Sequence, residues 1–196
     1  MKLLFISGKF NSGKTTLSNN LYECQELSKK YNLLTYAFAD YPKEIMSDIL
    51  EKPYQYFNED KNEITEFDFK TKRQLMQYLF ADVFCQLNPN IWAHKVYKQI
   101  LINKKRYCRN YSLECLHVIS DWRKVSEYEY LTKMLKDKIY SVKTLRINNS
   151  NLANTDEHIS EVNLDNFRFD SVIDVANLEP KETLNIVLQE FNNWGW

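Results

Sequence analysis

Ser7-Gly8-Lys9-Phe10-Asn11-Ser12-Gly13-Lys14-Thr15-Thr16 is a complete G-x-x-x-x-G-K-T phosphate loop. The apolar run Leu3-Leu4-Phe5-Ile6 before it reads as a buried strand, and a helical pattern starts at Lys14. Strand, loop and helix in that order are the context this motif needs. The chain has three glycines, Gly8, Gly13 and Gly195, and two of them stand at the motif's obligatory positions. Glycine lets backbone N–H groups turn inward, where they and the positive end of the next helix hold phosphate oxygens. Lys14 is placed to reach the terminal phosphates, and the Thr15 hydroxyl to ligate Mg²⁺.

Working outward, residues 14–30 read as one helix with Leu17, Leu21, Cys24 and Leu27 on its apolar face. Residues 33–38 read as a second strand, followed by Phe38-Ala39-Asp40-Tyr41-Pro42-Lys43 and a helix to about Leu50. Ligands bind beyond the carboxyl ends of strands in such sheets, so Lys43 is a candidate phosphate contact. A solvated surface lysine is the plainer explanation of that residue taken alone. Residues 52–71 are polar and acidic and predict an irregular excursion. Residues 72–87 predict an amphipathic α-helix with Leu75, Leu79, Val83 and Leu87 on one side and Met76, Phe80 and Phe84 alongside. Arg73 and Gln77, four apart, share a face that suits a phosphate and a base edge, or simply water.

Trp92, Val96 and Ile100 mark a helix over 91–103, and the basic run from Lys104 to Asn110 predicts a surface connector. Residues 114–121 form an apolar strand ending in Asp121, the Walker-B pattern of a carboxylate that supports Mg²⁺. Arg123 and then Glu127 follow; an arginine there suits bidentate contact with phosphates. His117, in the middle of the strand, predicts a core histidine. A helix over 125–137, strands over 139–147 and 169–175 and a helix over 180–192 complete the chain. Trp194-Gly195-Trp196 reads as a packing tail. About five strands alternating with helices predict an α/β fold, a three-layer α/β/α sandwich around a five-stranded, mostly parallel sheet.

The totals agree with this. The 196 residues suit one domain, with an acceptor-binding helical part over about 40–110 and a lid-like loop over about 148–168. Lys+Arg and Asp+Glu are both 26, which argues against an extended nucleic-acid face. Cys24, Cys85, Cys108 and Cys115 form no C-x-x-C pair, so neither zinc nor a disulfide framework is expected. The first strand begins at the first residues, no signal peptide is recognisable, and no apolar run approaches the ~18 residues of a membrane span. A cytoplasmic protein is expected.

Several segments together resemble the deoxynucleoside monophosphate kinases of tailed bacteriophages. They are Met1 to Gly8 with its loop, Phe38-Ala39-Asp40 with Lys43, and Arg73-Gln74-Leu75-Met76-Gln77, similar to that family's R-x-L-[LM]-Q helix. Asp82, Trp92, Asp121-Trp122-Arg123 with Glu127, and His158-Ile159-Ser160-Glu161 continue the match in order. The resemblance implies transfer of the γ-phosphate of ATP to a deoxynucleoside monophosphate, with Mg²⁺, in a homodimer. It places ATP on Gly8, Asn11, Ser12, Gly13, Lys14, Thr15 and Thr16, with Arg146 or Arg168 as the lid arginine. It places the acceptor among Lys9, Phe10, Ala39, Asp40, Lys43, Arg73, Gln77, Trp92, Asp121, Arg123 and Glu127. Lys14, Asp121 and Arg123 carry the chemistry on this pattern. The chain departs from the family at Phe10 and Asn11, where a lysine is common, at Thr15, and at Phe80-Ala81 in place of G-T. A phosphate acceptor that is not a nucleotide, such as phosphomevalonate, and a nucleotide-binding regulatory module are the alternatives. The sequence lacks the N-K-x-D pattern that reads guanine.

Overall fold

Five strands form one sheet: β1 Lys2–Gly8, β2 Tyr31–Tyr36, β3 Glu114–Trp122, β4 Ser141–Asn148 and β5 Ser171–Asp174. They lie in the order β2-β3-β1-β4-β5, and every neighbouring pair is parallel. The computed structural model describes residues 1–60, 62–65, 70–107, 113–152 and 163–196. The expected α/β sheet is therefore present. β1, the most apolar strand, is central and buried along its whole length.

Alternation along β1 builds two cores, one on each face. Leu4 and Ile6 pack with Leu17 and Leu21 of α1 (Lys14–Glu23) and with Val187 and Phe191 of α8 (Pro180–Asn193). Leu3 and Phe5 face the other way, onto Val96 and Ile100 of α6 (Ile91–Tyr107) and Leu131 and Leu135 of α7 (Val125–Leu135). These are the three layers. The tail packs as expected: Trp196 is buried beside Phe191, and its indole N–H donates to Ser141 Oγ at 3.0 Å.

Three local predictions change. The helix expected over 14–30 breaks at Cys24, whose ψ of 114° is extended, into α1 and α2 (Gln25–Lys30). The basic run expected as a connector instead continues α6 as far as Tyr107, so Lys104, Lys105 and Arg106 sit at the negative end of the helix dipole. The helix expected over 72–87 is α4 (Lys72–Met76), a π-helical stretch Gln77–Val83, and α5 (Phe84–Leu87). In the wider π turn Phe80, expected alongside the apolar side, is buried while Leu79 is only half-buried, and Leu87, expected on that side, is exposed. α4 starts at a capping box in which Thr71 Oγ1 accepts from Gln74 N and Gln74 Oε1 accepts from Thr71 N.

The excursion expected over 52–71 contains a 3-10 turn, Tyr54–Phe57, and a bridge between Ile64 and Thr71. Among the cysteines, Cys24 and Cys85 are free thiols, whereas Cys115 is disulfide-bonded, contrary to the expectation from spacing. Residues 153–162 of the lid-like stretch, with His158, Ile159, Ser160 and Glu161, lie outside the described residues. Among the described residues no helix is long and apolar enough to cross a membrane.

Candidate active site

The phosphate loop leaves the carboxyl end of β1 between its two sheet neighbours. Ser7 is in register with Trp122 of β3 and with Arg146 of β4. Sheet order therefore brings Asp121 and Arg123 to one flank of the loop and Arg146 to the other. Within the loop, Ser12 N donates to Lys9 O at 3.2 Å, Asn11 adopts φ 58° and Gly13 φ 89°. Leu17 N donates to Gly13 O at 2.9 Å and opens α1. Lys14 is 8% exposed, and its ammonium donates to Lys9 O at 2.6 Å and approaches Ser12 Oγ at 3.4 Å. The ammonium is thus folded back over its own loop.

A cleft of about 1530 Å³, open to solvent, runs along this loop. Asn11, Ser12, Gly13, Lys14, Thr15 and Thr16 line it, with Asp40, Lys43, Asp121 and Arg123 opposite. A second chamber of about 930 Å³ lies beyond, lined by Arg73, Gln77, Phe57, Phe80, Trp92 and Glu127. The two share Phe10, Ala39, Lys43, Asp121 and Arg123. A third recess of about 530 Å³, between Asn11, Thr16, Asn20, Asn149 and Pro180, adjoins the loop on its other side.

Asp121 differs from the expected metal ligand in what it holds. Its two carboxylate oxygens accept the N–H groups of Phe38 (2.7 Å) and Ala39 (2.9 Å). It pins the turn from β2 into α3 (Asp40–Ile49), so Lys43 on the first turns of α3 reaches the cleft. Burial pushes its carboxyl above the usual range, against the pull of those two N–H groups and of Arg123. Lys43 Nζ donates to Asn58 Oδ1 at 2.8 Å, and Tyr54 donates to Asp40 at 2.7 Å, so the 3-10 turn braces this corner.

Glu127 is buried, and its Oε2 accepts from Arg123 N (3.1 Å) and Lys124 N (3.0 Å), fixing the start of α7 under Arg123. Burial, reinforced by the charge of Asp121, pushes its carboxyl up to about 7. In the second chamber Trp92 Nε1 donates to Phe80 O at 3.0 Å, a carbonyl that the π stretch turns toward it. Phe80 packs on Phe84 and Trp92 at ring separations of 5.5–5.7 Å, giving the chamber an aromatic floor. Phe80 thus becomes part of the chamber itself.

Two expected site residues stand elsewhere. Lys9, expected beside the acceptor, pairs with Asp165 at 3.2 Å. Arg146 is buried, donating to Asp165 (2.8 Å) and Ser7 Oγ (3.1 Å). Both line a separate cavity with Leu164 and Phe169, drawn there by their shared partner Asp165. Arg168, the other lid candidate, is exposed. Sequence reasoning missed Lys72, 2% exposed, which stacks on Tyr56 at 3.7 Å, pairs with Glu63 and lines the second chamber. A polar stretch with no periodicity gave no signal of that pairing. Phe57, also in the chamber wall, lies in the polar excursion and was not singled out from the sequence.

No metal cage exists among the described residues, since no three His, Cys, Asp or Glu side chains converge. Thr15 and Asp121 both line the cleft; each Asp121 oxygen already accepts one backbone N–H and keeps a further lone pair, which is compatible with Mg²⁺, held as it is by few protein groups together with substrate phosphates.

No family model and no curated protein matches the sequence. Among solved structures, the dephospho-CoA kinase from Campylobacter jejuni is similar over all of this chain and all of its own, with 15% identity and a TM-score of 0.49. The tunicamycin resistance protein of Deinococcus radiodurans covers 100% of this chain and 96% of its own length (13% identity, TM-score 0.48). A sugar kinase from Janibacter sp. covers 98% and 95% (11% identity, TM-score 0.46). These similarities are ones of outline, and the chemistry rests on this chain's own residues. What the chain itself displays is a parallel α/β sandwich with a phosphate loop at the end of its central strand and a second chamber opening off that loop.

Proposed function

We propose that the protein is a (deoxy)nucleoside monophosphate kinase that moves the γ-phosphate of ATP to a deoxynucleoside monophosphate. One observation carries this reading: the phosphate-loop cleft and the aromatic chamber meet at Lys43, Asp121 and Arg123, with Arg73 behind. A triphosphate on the loop and a monophosphate in the chamber would present their phosphates to each other there. The donor's base would lie in the recess between Asn20, Asn149 and Pro180.

Phosphoryl transfer asks for alignment and charge balance more than for covalent chemistry. An oxygen of the acceptor phosphate bonds to the γ-phosphorus as the bond to the β–γ bridging oxygen breaks, and ADP leaves. The acceptor phosphate is already ionised, so no side chain need take a proton. Lys14 exchanges its contact with Lys9 O for the donor phosphates. Arg123, fixed at its backbone by Glu127, and Lys43, carried on α3, balance charge at the junction. Thr15 and Asp121 would hold Mg²⁺, which would supply positive charge to the donor phosphates.

Phe57, Phe80 and Trp92 offer ring faces and edges to a flat base, and the Gln77 amide a donor and an acceptor to its edge. A small polar phosphate such as phosphomevalonate would leave those rings uncovered. The test is an acceptor panel: ATP and Mg²⁺ with each deoxy- and ribonucleoside monophosphate and with phosphomevalonate, products resolved by chromatography. Diphosphate formation from at least one monophosphate is expected. Turnover of phosphomevalonate alone would replace the reading, and ATP binding without transfer to any acceptor would make the protein a nucleotide-binding module.

A further inference from the structure

Phe10 projects from the phosphate loop into the junction, and the guanidinium carbon of Arg73 lies 4.1 Å from its ring centroid. It is the aromatic side chain common to both chambers. Its backbone is held on either side: Lys9 turns the opposite way to pair with Asp165, and Asn11 takes a left-handed conformation. We propose that Phe10 is a positioning residue, a platform that aims the Arg73 guanidinium into the acceptor chamber and ties acceptor affinity to the conformation of the phosphate loop. The proposal rests on the monophosphate-kinase reading.

An arginine side chain has many rotamers, and a ring face beneath its planar guanidinium selects among them. The ring's negative face attracts the cation while leaving its N–H edge open for phosphate oxygens. Because Phe10 belongs to the segment that wraps the donor phosphates, any adjustment of the loop on ATP binding passes to Arg73. Reciprocity then requires that donor and acceptor change each other's affinity by one factor.

The test is calorimetric titration with the four common deoxynucleoside monophosphates, with and without a non-hydrolysable ATP analogue and Mg²⁺. The proteins are wild type, Phe10→Leu, Phe10→Tyr, Arg73→Met and the Leu/Met double variant. Phe10→Leu keeps apolar bulk and removes the ring; it should weaken monophosphate binding about 3- to 30-fold and leave the analogue's affinity within about twofold. Phe10→Tyr should restore most of that loss. The double variant should bind no more weakly than Arg73→Met. Wild-type affinity in Phe10→Leu, or losses that multiply in the double variant, would overturn the positioning role while leaving the kinase reading intact. A wild type that binds none of the monophosphates would overturn both, and the wild-type titration tells the two failures apart. If Phe10→Leu does not fold by thermal unfolding, Phe10→Met takes its place.

Discussion

Gly8 and Gly13 fill matching positions of one motif for different physical reasons. Gly13 has φ 89°, which a side chain would strain, and open space where a Cβ would stand. Gly8 is required by close approach instead: a Cβ there would collide with the carbonyl oxygen of Ile147 and with Ser12 Oγ. Gly8→Ala should therefore push the loop off β4, costing about 1–3 kcal/mol in denaturant unfolding and weakening ATP binding measured by titration. A stable variant with full ATP affinity would show that the loop yields at no cost. Lys14 is poised differently, its ammonium buried against Lys9 O. Lys14→Ala should fold normally and lose nearly all turnover in a coupled ADP assay, at least about 100-fold, because the donor's charge loses its main side-chain partner. Near-normal rates would remove the loop from the chemistry.

At the scale of elements, the π stretch Gln77–Val83 decides the second chamber. Its extra residue per turn moves Phe80 inward and lets its carbonyl accept from Trp92. α4, which carries Arg73 and Lys72, is tied to the excursion before it by the Lys72–Glu63 pair and by Tyr56. Lys72 is almost wholly buried, whereas the Glu63 side chain is 51% exposed. Glu63→Ala would leave a buried ammonium without its carboxylate, at a cost of about 1–3 kcal/mol in chemical denaturation. Lys72→Met with Glu63→Ala together should recover part of that stability, since a buried charge no longer needs a partner. If the single variant is as stable as wild type, the pair does not anchor α4.

Over the whole molecule, two buried groups set opposing pH dependences. His117 lies in β3 with Nδ1 on the Tyr36 hydroxyl at 3.0 Å and Nε2 without a partner among the described residues. Burial, with the positive N-terminus and Lys104 nearby, lowers it from 6.5 to about 4. Its neutral form is the folded form, so its contribution is full above pH 6.5 and is lost as pH falls toward 4. Glu127 is raised from 4.5 to about 7, so its contribution is full below pH 4.5 and is lost as pH rises toward 7. Each slope is at most about 1.4 kcal/mol per pH unit, and between roughly 4.5 and 6.5 they cancel. Asp121, also raised by burial, adds a fall with rising pH, so the wild-type profile in that window is the reference rather than a flat line. Glu127→Gln, which keeps an oxygen for the Arg123 and Lys124 N–H groups, should tilt it upward with pH relative to wild type; His117→Gln should tilt it downward. Urea midpoints at pH 4.5, 5.5, 6.5 and 7.5 decide the matter, and parallel profiles for all three proteins would discard both assignments.

By itself the sequence determined the phosphate loop, the five strands and a sheet covered on both faces. Those depend on local properties: glycine at two positions, and apolar runs such as Leu3 to Ile6 that leave no face for water. Asp121, Arg123 and the Arg73–Gln77 face were also legible, because strand ends and four-residue spacing place them without knowledge of partners. Only the tertiary structure decided what those residues hold. Asp121 clamps Phe38 and Ala39 because strand order sets β3 beside β2, a pairing that no local pattern encodes. Lys9 and Arg146 turned to Asp165, since the identity of a cation's partner depends on segments distant in the chain. The π turn escaped periodicity because one added residue shifts a helical face while leaving each short window looking α-helical. The opening loop was written in ten residues; the chamber beyond it, where Phe10 meets Arg73, came from packing six stretches of the chain together.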